Sequence, residues 1–310
     1  MKIAYIFPGQ GSQYVGMAKE FIENFNESKE VFDVASAALG IDLPQLCMHG
    51  PSETLNRTEN TQPAILATSI AILRPLERRG LSAEAAAGHS LGEYTAITAA
   101  GGFELKDVIT LVQKRGRYMQ EAMPEGVGLM AAILGMDRTA LEKTCLEAAK
   151  NGIVAPANYN SPGQIVIAGE KKAVEKAMEL ARSAGAKKVV PLMVSVPSHC
   201  SLMKQAGERL ARELDTVTMS DLRIPIVNNA DAKFLRTATE LKPSLVRQIS
   251  SSLYWEDSIN RLTADGFDTF IEIGPGKVLS GLVKRIAKDA KVLNVEDQKS
   301  MNETLQTLGL

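Results

Sequence analysis

The first residues with chemical potential form the pentapeptide Gly88-His89-Ser90-Leu91-Gly92, which matches the pattern Gly-x-Ser-x-Gly. In this pattern a sharp turn between a strand and a helix exposes the serine hydroxyl, and glycines avoid collisions with the neighbouring backbone. The small residues from Ala83 to Ala87 predict the strand, and a helical pattern resumes from Glu93. An ordinary turn with a serine cap would also fit these five residues, so the pentapeptide alone leaves both interpretations open.

The same geometry would place an oxyanion site beside Ser90. The backbone N–H of Leu91 would point at the developing oxyanion, and the N-terminus of the following helix would add a partial positive charge.

A serine nucleophile needs a general base, and the chain offers three histidines. His89 adjoins Ser90 on the turn and is poorly placed to take its proton, while His49 lies in a loop-like stretch. We therefore expect His199 to be the base, against the alternative of a structural histidine. No aspartate or glutamate stands out as its orienting acid, so we expect a group other than a carboxylate to hold the ring.

An arginine on an apolar helix face is the next candidate. The segment from Leu105 to Met123 has a helical pattern, and Arg115 falls inside its apolar arc. A buried guanidinium is costly unless it meets an anion. Arg115 could form an internal ion pair, extend to solvent at the edge of the arc, or bind a substrate carboxylate with its planar fork. The pattern alone does not choose among these.

Other site chemistries find no support in the sequence. There is no HExxH and no second ligand cluster, so we expect no metal. The loop from Gly9 to Tyr14 begins like a dinucleotide-binding motif but ends in a tyrosine where a small residue is needed. There is no GxxxxGK motif either. We expect no cofactor.

Composition narrows the class of protein. The 310 residues carry a net charge of -1, which argues against a nucleic-acid binder. The three cysteines suit neither a disulfide framework nor a zinc site, and a reducing cytoplasm is the simplest environment for them. The first residues do not resemble a signal peptide, and no apolar run is long enough to span a bilayer. We therefore expect a cytoplasmic protein without a membrane partner.

The order of predicted elements indicates an α/β fold with two parts. Helices are predicted over 17–39 and 62–79, and a strand over 223–228. In the middle, the order β-α-β-β-α-β is that of a ferredoxin-like unit, with a turn at Asn160-Ser161-Pro162-Gly163. We therefore predict a ferredoxin-like subdomain, 126–193, inserted into a larger catalytic subdomain formed by 1–125 and 194–310.

Several stretches, in the same order, resemble the malonyl-CoA:acyl carrier protein transacylase family of bacterial type II fatty acid synthesis. They run from one end of the chain to the other and are specific only in combination. The stretches are Phe7-Pro8-Gly9-Gln10-Gly11-Ser12-Gln13, Asn60-Thr61-Gln62-Pro63-Ala64, Gly88-His89-Ser90-Leu91-Gly92-Glu93, Arg115-Gly116-Arg117, Asn158-Tyr159-Asn160-Ser161-Pro162-Gly163-Gln164, Val196-Pro197-Ser198-His199 and Glu272-Ile273-Gly274-Pro275-Gly276.

The resemblance implies an α/β-hydrolase-like larger subdomain, the ferredoxin-like smaller one, and an active site between them. By position, Ser90 would be the acylated nucleophile and His199 its general base and acid. Arg115 would pair with the malonyl carboxylate, and the backbone amides of Gln10 and Leu91 would form the oxyanion hole.

The resemblance also implies that a main-chain carbonyl near a glutamine, Gln248 here, orients the histidine. Sequence pattern alone gives Gln248 no role beyond that of an exposed helix residue.

The implied partners are malonyl-CoA and acyl carrier protein, with a monomeric enzyme. Three alternatives stay open: an acyltransferase that serves a polyketide synthase, a thioesterase or esterase, and a non-catalytic module that binds carrier protein. Arg115 argues against a simple esterase, which has no use for a cation at that place.

Overall fold

The computed structural model describes residues 1–124, 126–192 and 196–310, and it contains two β-sheets with helices packed around them. The strands are β1 (Ile3–Phe7), β2 (Ala85–Gly88), β3 (Gly128–Leu134), β4 (Val154–Ser161), β5 (Gln164–Glu170), β6 (Lys188–Pro191), β7 (Ile226–Val227), β8 (Phe234–Leu235), β9 (Leu253–Tyr254), β10 (Thr269–Ile273) and β11 (Lys291–Val295).

The helices between these strands vary from one turn to six turns. They are α1 (Lys19–Asn24), α2 (Asn26–Leu39), α3 (Leu43–His49), α4 (Ser52–Leu55), α5 (Thr58–Arg78), α6 (Leu91–Ala99), α7 (Leu105–Glu121), α8 (Arg138–Ala148), α9 (Lys171–Ser183), α10 (Lys204–Leu214), α11 (Ala238–Ser250), α12 (Trp255–Ala264), α13 (Val278–Ile286) and α14 (Gln298–Leu308).

The larger sheet has the strand order β11-β10-β1-β2-β7-β8 and is parallel except for β8. Every residue of β1 and β10 is buried, as expected for parallel strands covered by helices on both faces. Phe7 and Gly88 pair at the carboxyl ends of β1 and β2. The loop after β1 and the turn after β2 therefore lie side by side, at the edge where open α/β sheets bind ligands.

Long helices cover the larger sheet and carry site residues. Helix α5 packs against α2 and α7, and most of its side chains are buried. Helix α7 has the predicted apolar face, which includes Val108, Val112 and Met119 together with Arg115. Helix α10 packs against α11 and α7.

The smaller sheet has the order β6-β3-β5-β4-β9. Four of its strands come from the central part of the chain and pair antiparallel, with α8 and α9 packed on one face. The fifth strand, β9, comes from much later in the sequence and runs parallel to β4, with Asn158 opposite Leu253. This pairing ties the smaller sheet to the segment that follows α11.

Several predicted elements differ from the structure. The helix predicted over 17–39 is broken at Phe25, whose extended backbone (φ −131°) lets its ring pack on Phe21. The strand predicted over 223–228 shrinks to β7, because Pro225 has no N–H to donate and only its carbonyl pairs, with Ala86. The turn predicted at 160–163 is shorter, because Ser161 pairs with Gln164 and only Pro162 and Gly163 are left to turn the chain.

His49 was assigned to a loop, and this was wrong. It is the last residue of α3, which Asp42 caps by accepting a hydrogen bond of 2.9 Å from the Gln45 N–H. Pro44 stands in the first turn of that helix and Gly50 follows its end, an arrangement that favours a short helix.

The predicted subdomain boundaries at 125/126 and 193/194 involve Glu125, Met193 and Val194, which lie outside the described residues.

Within the described ranges, no single helix is long and apolar enough to cross a membrane. The pair α2 and α3 meets that length and composition together, with a bend of 114° between the two helices.

Candidate active site

The backbone around Ser90 is held in a sharp turn between β2 and α6. Ser90 has φ 54° and ψ −103°, an unusual conformation for a residue with a side chain. A Cβ atom on Gly88 would lie 1.9 Å from the backbone carbon of Gly92, and one on Gly92 would lie 2.0 Å from the carbonyl oxygen of Phe7. Glycine is therefore required at both positions by close approach of backbone, as the motif predicted.

The structure brings Ser90 and His199 into hydrogen-bond contact, 2.8 Å from Oγ to Nε2. The other ring nitrogen, Nδ1, lies 2.8 Å from the main-chain carbonyl oxygen of Gln248. Because a carbonyl oxygen only accepts, Nδ1 carries the proton and Nε2 is free to accept from the serine hydroxyl. The group that orients the ring is thus a carbonyl and not a carboxylate.

The surroundings of His199 favour the neutral imidazole. Burial lowers its pKa to about 3, and the nearby positive charge of Arg115 acts in the same direction. The carbonyl of Gln248 acts in the opposite direction. The imidazole is therefore ready to accept a proton at neutral pH.

Arg115 points from α7 to Ser90 and is only 1% exposed. Its Nη1 donates to Gln62 Oε1 at 2.8 Å, and its Nη2 donates to Gln248 Oε1 at 3.0 Å and to Ser90 Oγ at 3.1 Å. The guanidinium also lies over the ring of Tyr94, 5.1 Å from its centroid. Two amide oxygens and an aromatic face therefore hold the cation beside Ser90.

The environment of Arg115 excludes two of the possibilities that the sequence left open, extension to solvent and a direct ion pair within the described residues. The side chain does not extend to solvent, and among the described residues no carboxylate pairs with it directly. Burial lowers the pKa of Arg115 while the more distant Glu93 raises it. A guanidinium held by neutral oxygens keeps its positive charge available to an anion that enters the site.

The oxyanion-hole candidates, Gln10 and Leu91, both line a cavity of about 280 Å³ at the carboxyl edge of the larger sheet. Leu91 is the first residue of α6, so its N–H has no partner within the helix. The loop that carries Gln10 packs closely on the turn, because a Cβ atom on Gly9 would lie 2.3 Å from His89 O. The side chain of Gln10 donates to Thr58 Oγ1 at 3.2 Å.

The two sheets share the walls of this cavity, which combine polar groups near Ser90 with apolar side chains further out. The apolar part is lined by Met119, Met130, Val166, Leu192, Val196, Val278, Leu279 and Leu282. Such a wall suits an apolar part of a ligand better than a strongly hydrated group. Among the described residues, no group of three or more His, Cys, Asp or Glu side chains could hold a metal ion.

Asn229 supports the turn and was missed by sequence reasoning. Its Oδ1 accepts from the Ser90 N–H and its Nδ2 donates to Gly88 O, both at 2.8 Å. It stands in a loop far along the chain, and nothing in the local sequence distinguishes it from an ordinary turn residue.

His89, Glu93 and Gln62 lay in the stretches that carried the resemblance, but no role was assigned to them. His89 Nε2 contacts Asn160 Oδ1 at 2.9 Å, which keeps it away from the proton of Ser90, and burial lowers its pKa. Glu93 accepts from Gln248 Nε2 and from the backbone N–H of Asn229, both at 2.9 Å. Gln62 and Glu93 are buried polar residues, whereas His89 is partly exposed. Their place in those stretches was the signal that could have identified them.

The sequence of this chain matches the model of the acyl transferase domain over residues 4–304. The chain belongs to the acyl transferase family. Among curated relatives of this acyl transferase, the malonyl CoA-acyl carrier protein transacylase of Escherichia coli (strain K12) is 46% identical over 306 residues, which cover 98% of this chain and 99% of that protein.

Solved structures are similarly close to this acyl transferase. An acyl carrier protein S-malonyltransferase from Vibrio cholerae O1 biovar eltor str. N16961 has a TM-score of 0.96 and 46% identity, with 98% of this chain and 100% of that chain covered. A malonyl transacylase in complex with its type II polyketide synthase acyl carrier protein has a TM-score of 0.97 and 44% identity, with 99% and 100% covered.

Proposed function

We propose that this acyltransferase moves the malonyl group from malonyl-CoA to the phosphopantetheine thiol of acyl carrier protein, through a malonyl-Ser90 intermediate, and so supplies the extender unit for fatty acid synthesis. The observation that carries the proposal is the buried guanidinium of Arg115, 3.1 Å from Ser90 Oγ and without a direct carboxylate partner among the described residues. A cation at that place suits an acyl group that ends in a free carboxylate.

In the first half-reaction, His199 Nε2 takes the proton of the Ser90 hydroxyl as Oγ attacks the thioester carbon. The N–H groups of Gln10 and Leu91 stabilise the oxyanion of the tetrahedral intermediate. The carbon–sulfur bond then breaks, the protonated imidazole returns the proton to the leaving sulfur of CoA, and the malonyl ester of Ser90 remains.

The second half-reaction uses the same groups in reverse. His199 takes the proton of the phosphopantetheine thiol, the thiolate attacks the ester carbon, and Ser90 Oγ leaves with the proton from the imidazolium. Between the two halves the ester must survive water. A site whose walls come from both sheets supports that requirement.

A second candidate function is malonyl supply to a polyketide synthase. It is favoured by the likeness to the malonyl transacylase that was solved with its type II polyketide synthase acyl carrier protein. Both functions use the same chemistry at Ser90 and differ in the carrier protein that accepts the acyl group.

We also propose the two-subdomain description of the fold, with an α/β-hydrolase-like part from 1–125 and 194–310 and a ferredoxin-like part from 126–193. The order β6-β3-β5-β4, with α8 and α9 on one face, supports the ferredoxin-like description of the smaller part. Parallel pairing from β11 to β7 around a nucleophile turn supports the hydrolase-like description of the larger part.

Three further proposals concern the enzyme as a whole. The reaction scheme uses only side-chain and backbone groups of the chain, so we propose no cofactor. We propose a monomer, since Ser90, His199, Arg115 and Gln248 already form a complete set of contacts within one chain. A cytoplasmic location rests on the three free cysteines, Cys47, Cys145 and Cys200.

A panel of acyl-CoAs tests the proposed function. The purified protein is incubated with malonyl-, methylmalonyl-, acetyl- and succinyl-CoA, and intact-protein mass spectrometry measures the adduct. Holo acyl carrier protein from a fatty acid or polyketide system is then added. We expect a malonyl adduct that passes to carrier protein and is absent from Ser90→Ala. A malonyl adduct on Ser90→Ala, or release of the acyl group to water instead of the carrier, would contradict the proposal.

A further inference from the structure

Glu93 is a buried carboxylate that the proposed mechanism does not use. It stands in the first turn of α6, is fully buried, and accepts through Oε2 from the Asn229 N–H and from Gln248 Nε2. A buried carboxylate is costly, and it is retained where its hydrogen bonds or its charge serve another group.

The side-chain amide of Gln248 lies between Glu93 and Arg115. Its Nε2 donates to Glu93 Oε2 at 2.9 Å and to Ser90 O at 2.8 Å, while its Oε1 accepts from Arg115 Nη2 at 3.0 Å. A rotation of the amide by 180° would direct its NH₂ group at the guanidinium, where two donors would meet. It would also direct the carbonyl oxygen at two acceptors. Only one orientation of the amide satisfies all three of these partners.

The two acceptors on the nitrogen side are not equivalent. Ser90 O belongs to the backbone of the turn and is fixed by Gly88 and Gly92, whereas Glu93 Oε2 is the side-chain acceptor that sequence variation can remove. Loss of this acceptor would leave that buried N–H of Gln248 with only a long contact of 3.5 Å to Asn229 Oδ1. The amide would then be held less firmly in the orientation that turns its oxygen to Arg115.

We propose that Glu93 is a positioning residue which, through Gln248, fixes the guanidinium of Arg115 beside Ser90 and thereby sets the preference for acyl groups that end in a carboxylate. The inference rests on the proposed malonyl transfer. Glu93 touches neither Ser90 Oγ nor the entering acyl group in this scheme; its effect passes through the amide of Gln248 and the fork of Arg115.

Another buried carboxylate of the same chain provides the contrast. Glu272, on β10, accepts from the backbone N–H groups of Leu279 and Ser280 at 3.0 and 2.6 Å and so caps the N-terminus of α13. It shares with Glu93 the burial and the two N–H donors, but it makes no contact with the amide that faces Arg115. Its loss is expected to affect stability and not the choice of acyl group.

The test compares two replacements of nearly equal length. Glu93→Gln keeps an oxygen acceptor for Gln248 Nε2, whereas Glu93→Met removes it; Glu272→Met is the matched control, and Glu93→Ala is the second variant if Glu93→Met does not fold. For each protein, kcat/KM is measured with malonyl-CoA and with acetyl-CoA, per active site as titrated by adduct formation, and Tm is measured alongside.

We expect the malonyl-to-acetyl ratio of kcat/KM to fall by about 10-fold or more in Glu93→Met, the effect typical of removing the acceptor of a buried donor, and by less than about 3-fold in Glu93→Gln. Glu272→Met should lower Tm and keep the wild-type ratio. An unchanged ratio in Glu93→Met, or an equal fall in Glu93→Gln, would overturn the inference. A wild-type protein that prefers acetyl-CoA would instead reject the proposed function itself.

Discussion

The two sides of the active site are held by different kinds of contact. Ser90 is held by backbone packing. Gly88 and Gly92 let the turn approach its neighbours so closely that a single added carbon would lie about 2 Å from a main-chain atom. Arg115 is held instead by side-chain oxygens, from Gln62 on α5 and Gln248 on α11. Ser90 is thus fixed by backbone packing, and the guanidinium of Arg115 is fixed by an amide network, the side chains of Gln62 and Gln248.

This difference predicts how the two sides respond to change. A backbone contact between β1 and α6 has no freedom to relax without moving the sheet, so damage there should affect stability and every substrate alike. An amide network can lose one member and keep the fold. Substitutions around Arg115 should therefore lower the rate with one substrate more than the rate with another.

The largest effect is expected for Gly92→Ala. The new methyl group would meet Phe7 O at 2.0 Å, so α6 must move away from β1 and take Ser90 with it. We expect a loss of about 3 kcal/mol or more in the free energy of unfolding, measured by urea denaturation, and loss of malonyl and acetyl transfer together.

The matched control is Gly281→Ala on α13, where nothing lies within 4 Å of the added carbon. The free energy of unfolding of this variant should rise by up to about 1 kcal/mol, because alanine has a higher helix propensity than glycine. A Gly92→Ala protein as stable and as active as wild type would refute the rigid description of the turn.

The same contrast explains what the sequence could and could not predict. The turn was predictable because its determinants are five neighbouring residues, and Arg115 was visible because a helix repeats its apolar face at a known period. The strand order of the smaller sheet follows from β-α-β-β-α-β, but its fifth strand, β9, pairs with β4 from about a hundred residues away. No local sequence pattern predicts a strand pairing over such a separation.

The contacts of Glu93 could not be predicted from local sequence patterns for the same reason. Glu93 and Gln248 are separated by 155 positions, and Glu93 and Asn229 by 136. Glutamine and asparagine side chains carry no periodicity signal, and the group of Gln248 that orients His199 is a backbone carbonyl, which every residue possesses. Family resemblance named Gln248; its second contact, with Arg115, became visible only in three dimensions.

Arg115→Ala should lower kcat/KM for malonyl-CoA much more than kcat/KM for acetyl-CoA. Malonyl-CoA loses a charge-assisted partner in a buried site, so its kcat/KM should fall by roughly 100-fold or more, while acetyl-CoA, which has no carboxylate, should lose less than about 10-fold. Steady-state kinetics with both substrates provides the measurement.

Arg115→Lys refines this comparison, since lysine keeps the charge but not the planar fork that contacts Gln62, Gln248 and Ser90 together. We expect an intermediate malonyl rate. Equal losses for malonyl and acetyl in Arg115→Ala would return the arginine to a purely structural role.

The smallest effect is expected for the pH dependence of activity, because the charge of Arg115 acts on His199, the proposed general base of Ser90. Burial and, to a lesser extent, the positive charge of Arg115 together lower the pKa of His199 to about 3. The imidazole works in its neutral form, so activity is lost only as pH falls through the pKa of the folded protein. The kcat/KM for acetyl-CoA should therefore stay nearly constant well below pH 6.5, the ordinary range of histidine.

Arg115→Met removes the positive charge while it keeps much of the side-chain length, so the pKa of His199 should rise and the acid limb should move to higher pH. Both proteins are assayed with the same substrate over the same pH range, and titration of the CoA phosphates therefore cancels in the comparison. An acid limb at the same pH in both proteins would mean that the charge of Arg115 does not affect the pKa of His199. In the proposed cycle this coupling would matter, because a malonyl carboxylate bound at Arg115 would neutralise this charge and make His199 a stronger base.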